Sequence, residues 1–205
     1  MKKLHWILLI LLVIVMTWSG IKPFDGVLWV LEALPILVGV AILALTFKRF
    51  KFTNLTYTFI LIHCCILLIG SHYSYSREPL FDWFREIFGW ERNNFDKVGH
   101  FAQGFIPALI ARELLIRLDV INRKSWISFI VVSICLAISA AYELFEWLVA
   151  EIMGQSAEDF LGTQGYEWDT QSDMLCALIG ATCAILLLSR IQDKQIKKII
   201  NSYQL

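Results

Sequence analysis

An all-α fold, a polytopic six-helix transmembrane bundle making one integral membrane domain over residues 1–205, is what this sequence predicts. Three observations carry it. Apolar residues make up 58% of the chain, eight residues are tryptophan and the mean hydropathy is +0.62, far from an average soluble domain. Six stretches approach the roughly 20 predominantly apolar residues that a helical span needs. The basic residues change sides from one connection to the next, as the cytoplasmic bias of lysine and arginine requires.

The first stretch, Leu4 to Ser19 within "MKKLHWILLILLVIVMTWSG", has the basic start and apolar run of a signal peptide. It carries Trp18 where a cleavage site wants a small residue, so it reads as an uncleaved first helix. Val27 to Phe47 forms the second span, with Glu32 about 7–8 Å inside its outer end. The third, Leu55 to Tyr73, runs outward and finishes at "GSHYSYSREP", which sets His72, Tyr73 and Tyr75 at the outer surface. The fourth, Lys97 to Ile116, runs inward from "RNNFDKVGHFAQGF"; the fifth, Ser125 to Val149, runs outward through "AAYELFEWLVAE". The sixth, Thr170 to Ser189, follows the acidic, glycine-punctuated stretch "DFLGTQGYEWDTQSDM". Its glycines permit turns that a β-carbon would forbid, so Phe160 to Trp168 is expected to fold back over the bundle.

Thirteen basic residues fall on the side of both termini and five (Lys22, Arg77, Arg85, Arg92, Lys97) on the other. Both termini are therefore expected in the cytoplasm. Acids distribute oppositely: only Glu113, Asp119 and Asp193 lie towards the cytoplasm, and the other fifteen lie outside or at outer helix ends. The five cysteines all fall inside spans without paired spacing and read as small packing residues. No phosphate-binding loop, dinucleotide fingerprint or nucleophile elbow is present. Scattered basic residues that already answer to topology exclude nucleic acid as a partner; the lipid bilayer is the partner the composition demands.

Ionisable side chains inside spans cost about 2.5–3.5 kcal/mol each near the bilayer centre on insertion scales, so each needs a partner or a task. Asp96 and His100 stand four residues apart, as do Asp169 and Asp173, while Glu143 and Glu146 stand three apart. Such pairs share a helix face, and three helices thus present polar pairs at similar depth on the outer side. His100, Glu143, Glu146 and Asp173 are the candidate catalytic and metal-ligating residues, with His72 as a further candidate ligand. Asp96, Gln103, Tyr142, Asp169 and Glu32 support them. Asp169 reads as a helix cap, and His63, near mid-span, as an interhelical hydrogen-bond donor. Two readings of the cluster stand side by side. One is a hydrogen-bonded plug neutralised by His100, Lys97, Arg77 and Arg92; the other is an outward-open site in which imidazole and carboxylates hold a divalent metal or move protons.

The segments "HYSYSREP", "RNNFDKVGHFAQGF", "YELFEW" and "FLGTQGYEWDTQSDM" resemble the YjdF-like bacterial inner-membrane proteins over nearly the whole chain. That resemblance implies a bacterial inner-membrane location and no established activity. The family's pattern has an aspartate after "GTQG"; Tyr166 stands there in this chain, so no role of that acid carries over. A weaker likeness, in the order of "DKVGHF", "YELFEW" and "WDTQSD", is to the VanZ-like membrane proteins, and it implies an association with the cell envelope.

The function expected is an outward-facing site that binds a metal ion or a polar envelope molecule, with hydrolytic or transfer chemistry on a lipid headgroup or cell-wall precursor. A carboxylate-rich set with few histidines suits manganese, magnesium or iron better than zinc. One rival is a structural or regulatory membrane component in which the cluster only joins helices. A transporter is the other, disfavoured because transport sites lie near the bilayer midplane and here the middle is apolar apart from His63 and Pro107.

Overall fold

The computed structural model describes residues 3–153 and 163–202, and among these there is no strand. The described residues form seven α-helices: α1 (Lys3–Gly20), α2 (Gly26–Thr46), α3 (Asn54–Tyr73), α4 (Pro79–Phe88), α5 (Phe95–Arg117), α6 (Ile127–Met153) and α7 (Asp169–Ser202). Short 3₁₀ turns, Tyr75–Arg77 and Lys124–Trp126, lead into α4 and α6. The all-helical membrane bundle expected from composition is what forms.

Among the described residues, five segments are long and apolar enough to cross a membrane: α1, α2, α3, α7 and Lys124–Ile152, which holds nearly all of α6. The fourth predicted span, now α5, is not among them. It has ample length at 23 residues, but Asp96, Lys97, His100, Gln103, Arg112, Glu113 and Arg117 lower its hydropathy. These residues gather at its two ends and find partners there, while Phe105 to Ala111 is uncharged throughout.

Local chemistry explains where the helices start. Asp25 caps α2, accepting from the amides of Val27 at 2.7 Å and Leu28 at 3.0 Å, and Thr53 caps α3 through the Thr56 amide at 3.2 Å; both satisfy amides that a helix start leaves open. Between α3 and α5 the sequence reading has only a loop, whereas the chain forms α4. Glu78 caps it, Pro79 opens it and Gly89 closes it in the left-handed region at φ 64°, as helix-end preferences dictate. Leu80, Trp83, Ile87 and Phe88 leave its apolar side exposed.

The core is built around α5, which packs against α3, α6 and, most extensively, α7. Gly104 and Gly180 make the α5–α7 approach: a β-carbon on Gly104 would run into the Ala177 carbonyl, and one on Gly180 into the Phe101 carbonyl. Close backbone packing through small residues is the usual adhesive between helices in lipid. Below it Ala108, Leu109, Val131, Cys135, Ala181 and Ala184 form a buried cluster. At the end where α3 finishes and α5 and α7 begin, here the His100 end, α6 also terminates. The opposite end is tied by Glu113, which is fully buried. Its carboxylate accepts from the Thr53 amide and hydroxyl, the Thr56 hydroxyl and Arg117 at 2.7–2.9 Å.

Candidate functional site

The imidazole of His100, on the second turn of α5 and 5% exposed, is the hub of the polar residues. Its Nε2 lies 3.3 Å from Asp96 Oδ1 on its own helix and 3.9 Å from Asp173 Oδ2 on α7. Its Nδ1 lies 3.6 Å from Glu143 Oε1 on α6 and 3.3 Å from Gln103 Oε1. Glu146 joins the same neighbourhood, since ligand atoms of His100, Glu143 and Glu146 lie within 4.8 Å of one another, as do those of Asp96, His100 and Asp173. Tyr142 sets its ring edge-on to the imidazole, centroids 6.2 Å apart. The structure thus brings His100, Glu143, Glu146 and Asp173 together from α5, α6 and α7.

The cluster has two unlike halves. On the α7 side the charges are matched: Lys97 Nζ reaches Asp173 Oδ1 at 2.5 Å and Asp169 Oδ1 at 2.6 Å, and Arg92 reaches Asp169 Oδ1 at 2.5 Å. Towards α2 and α6 they are not. Glu32 Oε2 and Glu143 Oε1 are buried with no hydrogen-bond partner among the described residues, and Asp96 Oδ2, also without one, keeps only long ion pairs to Arg92 at 3.6 Å and Lys97 at 3.8 Å. A buried oxygen in that condition carries a desolvation cost of about 1–3 kcal/mol. Six carboxylates (Glu32, Asp96, Glu143, Glu146, Asp169, Asp173) face two permanent cations and one imidazole.

A cavity of about 190 Å³ adjoins the unmatched half, lined by Glu32, Asp96, His100, Gln103, Tyr142 and Glu146, with Tyr75, His63, Leu67, Pro35 and Pro107 also in its wall. Tyr75 lies across Gly70 and Gly99; a β-carbon on Gly70 would strike its ring and one on Gly99 would stand 3.0 Å from it. Desolvation, and then the nearby Glu32 carboxylate, push the Tyr75 phenol well above its ordinary value, so it meets the cavity as a protonated hydroxyl. The two prolines lack an amide hydrogen, which leaves the carbonyls of Leu31 and Gln103 without their helical donors.

The loop before α7 is clipped to the segment before α5. Gln164 accepts from the Asn93 amide at 2.9 Å and donates to its carbonyl at 2.8 Å, and Arg92 donates to the Thr163 carbonyl at 3.2 Å. Gln164 and Gly165 take positive φ, 49° and 82°, to make that turn. Tyr166 turns its ring towards Arg92 and Lys97, the two cations that an acid at this position would face. Residues 160–162 of the expected fold-back lie outside the described residues.

Three sequence readings are corrected. His72 does not join the cluster: its Nδ1 sits 3.0 Å from the Ser19 carbonyl and its ring lies against Trp18, so it fastens α3 to α1. Asp169 is the first residue of α7, and its Oδ1 serves Arg92 and Lys97; pairing with cations took the place of capping. His63 is no interhelical donor, for its buried Nε2 has no partner among the described residues and it borders a cavity. Sequence reasoning placed Tyr75 at the surface and gave Asn93 no task. Yet Asn93, fully buried, donates to the Glu78 carbonyl and accepts from the Phe95 amide, joining α4 to α5.

A family model described as "Predicted membrane protein (DUF2238)" matches residues 4–194. The chain belongs to that family. It is 43% identical over 187 residues to the inner membrane protein YjdF of Escherichia coli (strain K12), covering 91% of this chain and 90% of that relative. This bears out the YjdF-like resemblance and makes the chain a homologue of an inner-membrane protein. No solved structure matches it. Neither description names an activity for the DUF2238 family, so function has to be argued from the site.

Proposed function

We propose that this protein is a six-span inner-membrane protein with both termini in the cytoplasm, whose outward-facing His100 site binds a divalent metal ion and acts on the polar head of a cell-envelope molecule by hydrolysis or group transfer. One observation carries the reading: beside a single cavity, Glu32, Asp96 and Glu143 each bury a carboxylate oxygen without a hydrogen-bond donor, and two of these residues, Asp96 and Glu143, flank the His100 imidazole. Buried anionic oxygens are ordinarily paired or coordinate metals. His100, Glu143 and Glu146 are the favoured ligands, because Asp173 already holds Lys97 through Oδ1; Asp96 stands on the other side of the same ring. One imidazole among carboxylates is a donor set for manganese, magnesium or ferrous iron. In such a site a Glu146 oxygen that the ion leaves free, or His100 where the carboxylates alone hold the ion, would have the reach to take a proton from a nucleophile entering the cavity.

Counting α5 as a span is supported by its uncharged middle and by the partners its terminal charges find, Glu113 with Arg117 at one end and Asp96 with Arg92 at the other. Its 23 residues cover about 34 Å, enough for the roughly 30 Å hydrocarbon core. The side on which 13 of the 18 basic residues fall contains the Glu113 knot, which supports a cytoplasmic location for that end.

The structural reading has its own support in the Arg92, Lys97, Asp169 and Asp173 network, which closes helix ends as a plug would. Both readings hold if the matched half positions and the unmatched half binds. Elemental analysis of the purified protein, with thermal melts in Mn²⁺, Mg²⁺ and chelator, tests this. Near-stoichiometric metal and a melting temperature that rises with the ion support the site; no bound metal and identical melts in all three conditions would leave only the plug.

A further inference from the structure

The polar cavity has an apolar neighbour. A second cavity, of about 360 Å³, lies between α2, α3 and α5, with Ile36, Val40, Leu43, Ile106 and Ile110 in its wall. Pro35, His63 and Leu67 line both cavities, so the two are neighbours across a seam formed by these side chains. On one side of the seam stand Glu32, Asp96 and His100; on the other the walls are almost wholly hydrocarbon. Two polar atoms near the seam want partners: Glu32 Oε2, on a residue 4% exposed, and His63 Nε2. The apolar chamber, at about 360 Å³, has the size of a small-molecule site rather than of a packing defect.

A space with a carboxylate-and-imidazole chamber at one end and a hydrocarbon chamber at the other has the polarity profile of a single-chain segment of a lipid. We infer that the substrate is a lipid whose hydrocarbon chain lies in the apolar cavity between α2, α3 and α5 and whose phosphate-bearing head reaches the His100 cluster. The head's placement rests on the metal reading above, since carboxylates in excess would repel a phosphate and a bound divalent ion would draw it. Seating of the chain does not depend on that reading. His63 and Glu32 then lie at the head–chain junction, where ester, ether or hydroxyl groups can satisfy them.

Gly39 permits a clean test. It lines the apolar cavity, and a β-carbon there would meet nothing within 4 Å, so Gly39→Phe projects a ring into the chain's place without disturbing the backbone. The probe is a long-chain alkyl phosphate with a photoreactive diazirine in its chain, added to full-length protein in detergent with Mn²⁺ or with EDTA; labelled peptides are read by mass spectrometry. The expected result is labelling concentrated in peptides holding Val40–Leu43 and Ile106–Ile110, reduced at least fivefold by Gly39→Phe at unchanged melting temperature and reduced comparably by EDTA. Labelling spread evenly over the exposed faces of α1, α6 and α7, or indifferent to Gly39→Phe, means ordinary bilayer lipid and overturns the proposal. Groove labelling that is lost in Gly39→Phe but unchanged by EDTA overturns the metal-held head alone, so the two readings fail separately.

Discussion

His100 and Lys97 sit one turn apart on α5, surrounded by the same acids, yet the geometry assigns them different work. Lys97 bridges Asp169 and Asp173 at 2.5–2.6 Å, so its loss would leave buried Asp169 to Arg92 alone and buried Asp173 to an imidazole 3.9 Å away. Lys97→Met is therefore expected to cost about 3–5 kcal/mol, read as a large fall in melting temperature and in the yield of folded protein. His100 faces a cavity large enough for water, where carboxylates can hydrate or take up protons. For His100→Ala the expected outcome is a melting temperature close to that of the parent and no response to Mn²⁺. A collapse of His100→Ala comparable to that of Lys97→Met would mean that the imidazole is itself the structural cation. The spacings of Asp96 with His100 and of Glu143 with Glu146 were legible in the sequence because helical periodicity puts such residues on one face. Which cation each acid takes was not legible: Arg92, Lys97 and His100 are equivalent donors in a string of letters, and only the rotation of α7 against α5 gives Asp169 and Asp173 to lysine.

Helix by helix, the α5–α7 contact decides that rotation. Gly104 and Gly180 let the two backbones meet, and an added β-carbon at either would collide with main-chain atoms that no side-chain motion can clear. Gly104→Ala is expected to cost about 1–3 kcal/mol through overpacking, despite alanine's better helix propensity. Thermal unfolding checks it, and a stabilised variant would show that the helices sit farther apart. The long apolar helices were readable from hydropathy alone. The short α4 was not read, although Pro79, the apolar positions Leu80, Trp83 and Ile87, and Gly89 spell out its start, face and stop; its ten residues fall well below span length, and a search for spans passes over them. At the other end of α5, Glu113 accepts from three groups at the start of α3 and from Arg117. Removing it leaves a guanidinium buried without its anion, so Glu113→Ala is expected to cost about 3 kcal/mol or more while metal binding by the surviving folded fraction stays unchanged.

At the scale of the molecule, α1, α3 and α6 run one way and α2, α5 and α7 the other, which the pairings Ser19 with Leu68, Phe24 with His72, Thr53 with Glu113, His100 with Glu143 and Arg112 with Gln192 make visible. On the proposed topology a cysteine placed at Glu91 reacts with an impermeant maleimide added outside intact cells, and one at Asn201 reacts only after lysis. The reverse pattern would move the His100 cluster to the cytoplasmic face and remove the envelope from its reach.

The sequence by itself determined that the chain is an all-helical membrane protein, that α5, α6 and α7 carry acids at a common level, and which family it resembles. Each of these follows from composition, periodicity or local motif, quantities that need no knowledge of what touches what. Tertiary structure alone decided that the cluster divides into a matched and an unmatched half, that His72 belongs to the α1–α3 contact, and that the polar cavity shares part of its wall with an apolar one. Those are matters of helix rotation and of which atoms face a void, and they are set by close packing at residues such as Gly104, Gly180 and Gly99, whose missing side chains carry no polarity signal to read.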